Sequence, residues 1–204
     1  MMKKKNYFTG SVFQFHVKEI DKYCYCKFFD FTHLSSFHGL LAKVFDVFNQ
    51  EEKKSIEFLS NADWLFGARS MHRWPNLRKE SEWKYLGILH SPDDEAVPDF
   101  KSANVFPYIV EDESKIEDWS IVRDLTESKD CSYHAVKHLE TKVLTVASLS
   151  LSWRTGMEYC RKNNLDISKY YDLSNVGMQH MYYQMINVPI YSTISASIRG
   201  KAQC

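Results

Sequence analysis

Apolar and polar residues alternate with a period of two in the first part of the chain and recur every three or four residues in the last part. Residues 12–17 run Val, Phe, Gln, Phe, His, Val, and residues 23–31 run Tyr, Cys, Tyr, Cys, Lys, Phe, Phe, Asp, Phe. Aromatic and β-branched side chains suit a pleated, half-buried surface, so both stretches read as strands. Asp21-Lys22 between them is short and polar, as a hairpin connection requires. Residues two apart on a strand share a face, which groups Phe13 with Phe15, Tyr23 with Tyr25, and Cys24 with Cys26 and Phe28. Cysteine is among the most often buried residue types, so the Cys face is expected inward. A lone hairpin is marginal, and more strands must join it.

Further strands are expected at 40–48, at 64–66 and at 83–89, where Gly87 inside the run signals a bulge. Residues 105–110 read as extended, with Pro107 placing them at an edge or bulge, and 119–123 read as the last short strand. Asn49 followed three residues on by Glu52 is a capping-box arrangement and predicts a short helix over 50–60, with Ile56 and Leu59 inward. Residues 71–82 are polar, contain Pro75 and read as a loop. From 130 to 162 the period changes: Leu139, Val143, Val146, Ser150, Trp153, Met157 and Cys160 form one stripe, widened by Leu144, Ala147 and Leu151. This predicts one long amphipathic helix, ended at Asn163-Asn164. A second is expected over 174–187, stopped by Pro189; the spacing of Ile190, Ile194 and Ile198 suits one face of a helix and equally one face of a strand, and helix is the preferred reading. The expected fold class is therefore α+β. A strongly bent or barrel-like antiparallel sheet with a short helix occupies 1–125, and a helical segment, 126–204, packs on it as one body.

Composition narrows the function. The chain has 204 residues, 44% hydrophobic, enough for a packed core. Lys+Arg and Asp+Glu are both 26, so no basic excess marks a nucleic-acid binder, and no nucleic-acid partner is expected. The alternative is a nucleic-acid module stacking bases on Tyr23 and Tyr25 beside Lys27. The 5 cysteines are odd in number and scattered, which favours reduced thiols in a cytoplasm. Lys3-Lys4-Lys5 is followed by no apolar run, and none reaches the roughly eighteen residues a membrane span needs, so no membrane association is expected. His134 and His138 have a metal-compatible spacing, but Ala135-Val136-Lys137 between them holds no acid, and no metal is expected. With 7 glycines there is no phosphate-binding loop, and Ser150-Leu151-Ser152-Trp153 lacks the glycines of a nucleophile elbow, so no cofactor is expected. A small enzyme pairing Cys26 with a histidine is a further alternative.

Several stretches, in order, resemble the immunity protein 26 family of bacterial polymorphic toxin systems. They are Gly10-Ser11-Val12-Phe13-Gln14-Phe15, Tyr25-Cys26-Lys27-Phe28, Lys43-Val44-Phe45-Asp46, Trp83-Lys84-Tyr85-Leu86-Gly87, Pro98-Asp99-Phe100 and Trp119-Ser120-Ile121-Val122. The resemblance covers roughly residues 10–123; the second strand is bulkier here, and the C-terminal part has no counterpart in the family. It implies a non-catalytic protein that binds and neutralises a cognate toxin, with a basic nuclease as one candidate, and it carries no catalytic residues. Two acidic clusters suit such a partner: Asp93-Asp94-Glu95, and Glu111-Asp112-Glu113 followed by Glu117-Asp118. Solvated loops are the commoner explanation of such clusters; as a docking surface they would steer a basic partner.

Overall fold

The hairpin expected at the start of the chain forms, and three further strands extend it into a sheet. In the computed structural model, which describes residues 7–106, 109–142 and 147–203, β1 (Ser11–Val17) pairs antiparallel with β2 (Lys22–Asp30). Phe13 lies opposite Cys26 and Phe15 opposite Cys24. The link is a 3₁₀ turn, Lys18–Ile20, closed by Asp21 at φ 49°, a left-handed conformation that aspartate tolerates. With β3 (Leu40–Val44), β4 (Arg69–Ser70) and β5 (Trp83–Ile88) they form an antiparallel sheet of order β4-β3-β2-β1-β5. The bulge is present: Val12 faces Gly87 while Phe13 faces Tyr85, leaving Leu86 as the extra residue.

Phe13, Phe15, Cys24, Cys26 and Phe28 share one buried face. The opposite face is buried as well, with Val12 and Tyr25 beneath Phe45 and Leu59. That second cover explains why no helix forms over 50–60, where there is only a 3₁₀ turn, Glu57–Leu59. Asn49, the expected cap, instead bridges to Tyr23 as extended chain and donates its side-chain amide to Tyr25 Oη at 2.9 Å. Gln14 Oε1 accepts the Lys53 N–H at 2.7 Å. Sheet side chains thus tie Asn49 and Lys53 to the sheet. Residues 64–66 supply only a bridge, Trp64 to Phe45, and the fourth strand is Arg69–Ser70 instead.

The sheet is not closed into a barrel. A second, separate antiparallel sheet of order β6-β7-β8 is built from β6 (Phe100–Ala103), β7 (Trp119–Arg123) and β8 (Glu127–Cys131). Its Phe100, Val122 and Leu125 pack against Phe29, Phe31 and Leu41 of the first sheet at a common seam. The strand expected at 105–110 lies instead at 100–103; Pro107 and Tyr108 are outside the described residues.

Nor is 130–162 one helix. Residues 127–131 are the edge strand β8, and α1 (Tyr133–Val136) is a single turn. The chain then runs alongside β6, where Lys101 N–H donates to Glu140 O at 3.0 Å and Lys142 N–H to Lys101 O at 2.9 Å. Backbone groups given to a strand cannot serve a helix, so the helix begins again only at α2 (Ser148–Lys162). Val143, Leu144 and Val146 lie outside the described residues. Leu151, Met157 and Cys160 of α2, with Met181 and Met185 of α3 (Val176–Ile186), cover the Cys-bearing face of the first sheet. After Pro189 the chain makes two 3₁₀ turns, Tyr191–Thr193 and Ala196–Ile198, rather than a helix, and of Ile190, Ile194 and Ile198 only Ile194 is buried. Among the described residues no helix is long and apolar enough to cross a membrane.

Trp83 is buried and stacks on Phe15 with ring centroids 4.5 Å apart. Trp83→Ala is expected to lower stability by about 3–5 kcal/mol, read from urea unfolding, and an unchanged midpoint would contradict the packing. Truncation after Asp130 strips Leu151, Met157, Met181 and Met185 from the core. The 1–130 fragment is expected to aggregate, so a monodisperse, cooperatively melting fragment in size exclusion and calorimetry would refute the shared core.

Candidate functional site

The two acidic clusters do not come together, and each is split between interior and surface. Asp94 lies in a 3₁₀ turn, Pro92–Glu95, that follows β5. It turns inward and accepts from Lys27 Nζ, from Ser91 Oγ at 2.8 Å and from the Ser91 N–H at 3.2 Å. Lys27 is fully buried on β2, donates also to Ser91 Oγ at 2.9 Å, and lies 5.3 Å from the Phe29 ring centroid. A buried ammonium is costly unless paired, and Asp94 is its pair. Burial raises the Asp94 carboxyl, but the bonds from Lys27 and Ser91 outweigh it and hold the group below the ordinary carboxylate range. Glu95 is exposed, and the Asp93 side chain lies outside the described residues. Above the pair the surface opens into a cavity of roughly 450 Å³, lined by Thr9, Asp30, Phe31, His33, Leu34, His90, Asp94, Glu95 and Val97.

The second cluster lies in the β6–β7 connection. Glu113 is fully buried and accepts from Lys101 Nζ of β6, itself fully buried. Burial pushes the Glu113 carboxyl up and the Lys101 ammonium down, and their mutual attraction opposes both shifts. Asn187, just past α3, brackets the same point: its Oδ1 accepts from the Glu113 N–H at 3.0 Å and its Nδ2 donates to Val110 O at 3.1 Å. Asp112 caps a 3₁₀ turn, Glu113–Lys115, accepting from the Ser114 N–H at 3.1 Å and Ser114 Oγ at 2.6 Å. The connection is thus pinned at its base. Its outer part carries exposed Val105, Phe106 and Ile109, each more than half accessible at 51%, 59% and 52%. Val105 and Phe106 line a recess of roughly 310 Å³ with His38 and Lys142, while Glu111, Glu117 and Asp118, exposed, follow along the same connection, Glu117 and Asp118 in a recess of roughly 190 Å³ with Asn104 and Asp130.

The sequence-based docking set is therefore corrected at two positions. Asp94 and Glu113 are interior ion-pair partners rather than rim charges, because Lys27 and Lys101 lie on strands whose faces are covered. Glu95, Glu111 and Asp112 remain at the surface. The aromatic–basic face is corrected too: Tyr25 is fully buried and bonded to Asn49, and Lys27 is paired, so Tyr23, Tyr25 and Lys27 offer no platform for bases. His134 is exposed on α1 while buried His138 lies beyond it, a ring nitrogen 2.6 Å from Lys201 O. Among the described residues no group of three or more His, Cys, Asp or Glu could hold a metal. Burial raises the Cys24 and Cys26 thiols well above their ordinary range and Cys160 to about 11, which disfavours the nucleophilic thiolate. Ser91 touches Lys27, but an ammonium paired with Asp94 has no lone pair to take a hydroxyl proton.

Sequence reasoning missed the largest polar feature. Glu140 Oε2 accepts from Arg69 Nη1 at 2.7 Å and Glu140 Oε1 from Arg154 Nη2 at 3.2 Å, all three side chains being buried. Arg154 also bonds Glu158 at 2.8 Å, Arg161 bonds Glu158, and Arg69 donates to Gln184 of α3. Burial raises the Glu140 carboxyl, but Arg154 and Arg69 outweigh it and hold it below the ordinary range. Arg154, Glu158 and Arg161 recur at four and three, a stripe that in isolation reads as the solvated face of a helix. Compared with models of known protein families, with curated proteins and with solved structures, the chain matches none.

Lys101→Met would leave the Glu113 carboxylate buried without its cation. Urea unfolding should show a loss of about 3–5 kcal/mol, and the double variant Lys101→Met/Glu113→Leu should regain most of it. Equal stability of the single variant and the parent would place the pair in solvent.

Proposed function

We propose that the chain is a non-catalytic inhibitor that binds and neutralises a partner protein of basic character. The partner implied by the family resemblance is a cognate toxin encoded beside it, and a cytoplasmic setting agrees with the buried free thiols Cys24, Cys26 and Cys160. The observation that carries this reading is the β6–β7 connection. It carries exposed apolar Val105, Phe106 and Ile109 and exposed acidic Glu111, Glu117 and Asp118 on one connection, whose base is fixed by Lys101–Glu113 and Asn187. Exposed apolar residues accompanied by polar ones suit a protein interface, and a braced loop loses little freedom on binding.

These charges act chiefly on encounter. The variant Glu111→Lys/Glu117→Lys/Asp118→Lys is expected to bind the product of the neighbouring gene severalfold more slowly at low salt, the difference shrinking towards physiological salt. Glu113 is left intact because it belongs to the core. Stopped-flow association at two ionic strengths makes the comparison. Equal rates at low salt would remove the loop from the interface, and a neighbouring product that does not bind at all would remove the inhibitor reading.

A further inference from the structure

We propose that the cavity above the Lys27–Asp94 pair seats one long basic side chain, an arginine or a lysine, of the bound protein; this rests on the partner-binding reading above. The cavity lies where the two sheets meet. Phe31, a member of the seam core, is buried at its floor, and Val97 packs against that same core. Leu34, exposed at 40%, extends the apolar wall outward. Asp30 and Glu95 stand beside this wall.

The charges do not balance. Lys27, behind the wall, is cancelled by Asp94, and among the described residues no lysine or arginine lines the cavity; its basic groups are His33 and His90, and His90 Nδ1 lies 3.6 Å from Asp94 Oδ2. Asp30 gives Oδ1 to the Thr32 N–H at 3.0 Å and Thr32 Oγ1 at 2.6 Å, and among the described residues its Oδ2 has no hydrogen-bond partner. Glu95 has neither a hydrogen bond nor an ion pair among the described residues. Two carboxylates thus face a space with apolar walls and, among the described residues, no lysine or arginine to meet them. A side chain with an aliphatic stem and a cationic head meets both requirements, the stem on Phe31, Leu34 and Val97 and the head on Asp30 and Glu95. An anion would meet like charge, and an uncharged apolar group would strip water from the carboxylates without compensation. A volume of roughly 450 Å³ accommodates such a side chain with room for water.

The seat is built before anything binds. Asp94 is fixed by Lys27 and Ser91, and the turn that carries His33 and Leu34 is closed by the Phe31 N–H donating to Gly39 O at 2.7 Å. A Cβ at Gly39 would collide with the Phe31 carbonyl, so the close approach needs glycine. This differs from the β6–β7 connection, with which the cavity shares no lining residue.

The test titrates the full chain with n-butylguanidinium, n-butylammonium and uncharged n-butylurea while the imidazole NMR signals of His33 and His90 are followed. The cations should shift both signals saturably, with Kd on the order of millimolar for fragments of this size, and n-butylurea should not. Glu95→Lys should weaken the cations about tenfold or more, which corresponds to about 1.4 kcal/mol, and the milder Glu95→Gln should fall between. Glu95 is exposed, so neither variant disturbs the core. No saturable shift, an equal response to n-butylurea, or unchanged binding in Glu95→Lys would overturn the proposal. A neighbouring gene product that binds a chain insensitive to the cations would overturn the cavity alone. Cations that bind a chain no neighbouring product recognises would support the cavity's chemistry and overturn the inhibitor reading.

Discussion

One carboxylate, Glu140, ties the two sheets and the helices to one another. Its side chain lies between Arg69 of the short edge strand β4 and Arg154 of α2, while its backbone carbonyl accepts from Lys101 of β6. Gly67 lies so close to the Glu140 side chain that a Cβ there would meet its Cγ. Replacing such a cluster by well-packed apolar residues is often neutral or stabilising, whereas deleting one member leaves a buried charge alone. The contribution of Glu140 is therefore positional. An apolar contact tolerates sliding, but two guanidinium groups on one carboxylate tolerate little, so α2 is fixed against β4 in both translation and rotation.

What could be read from the sequence follows from the range of the forces involved. Strands β1, β2, β3 and β5 were legible because side-chain alternation and the Gly87 bulge are local. Helix α3 was legible for the same reason, with Asn175 capping it through bonds to the Gly177 and Met178 N–H groups. Residues 50–60 carry an equally good local helix signal, yet Gln14 and Tyr25, distant in sequence, engage Lys53 and Asn49 and only a 3₁₀ turn forms. The long helix failed likewise: apolar spacing through Leu139 is genuine, but Lys101 takes the backbone of 140–142 for a strand bridge.

The acidic clusters show the same limit at the candidate site. In sequence Asp93, Asp94 and Glu95 are equivalent, as are Glu111, Asp112 and Glu113. The fold separates one member of each by giving it a lysine on a covered strand, Lys27 for Asp94 and Lys101 for Glu113. An acidic run therefore holds residues of different kinds: Asp94 and Glu113 anchor from inside, Asp112 caps a turn, and Glu95 and Glu111 meet solvent. The cavity beside Asp94 could not be foreseen, since its walls come from the chain before β1, the β2–β3 turn and the β5–β6 connection.

The distance along the chain between Arg69 and its partners has a consequence for biosynthesis. Chains are made from the N-terminus at about 5–20 residues per second, and domains fold as units. Arg69 emerges well before Glu140, and Glu140 before Arg154, Glu158 and Gln184. While the early strands wait, the nascent polypeptide holds a guanidinium that cannot enter the interior and a cysteine-lined sheet face without its cover. Productive folding is thus deferred until α2 and α3 have been translated, and the waiting chain is the form that most needs shelter from a chaperone.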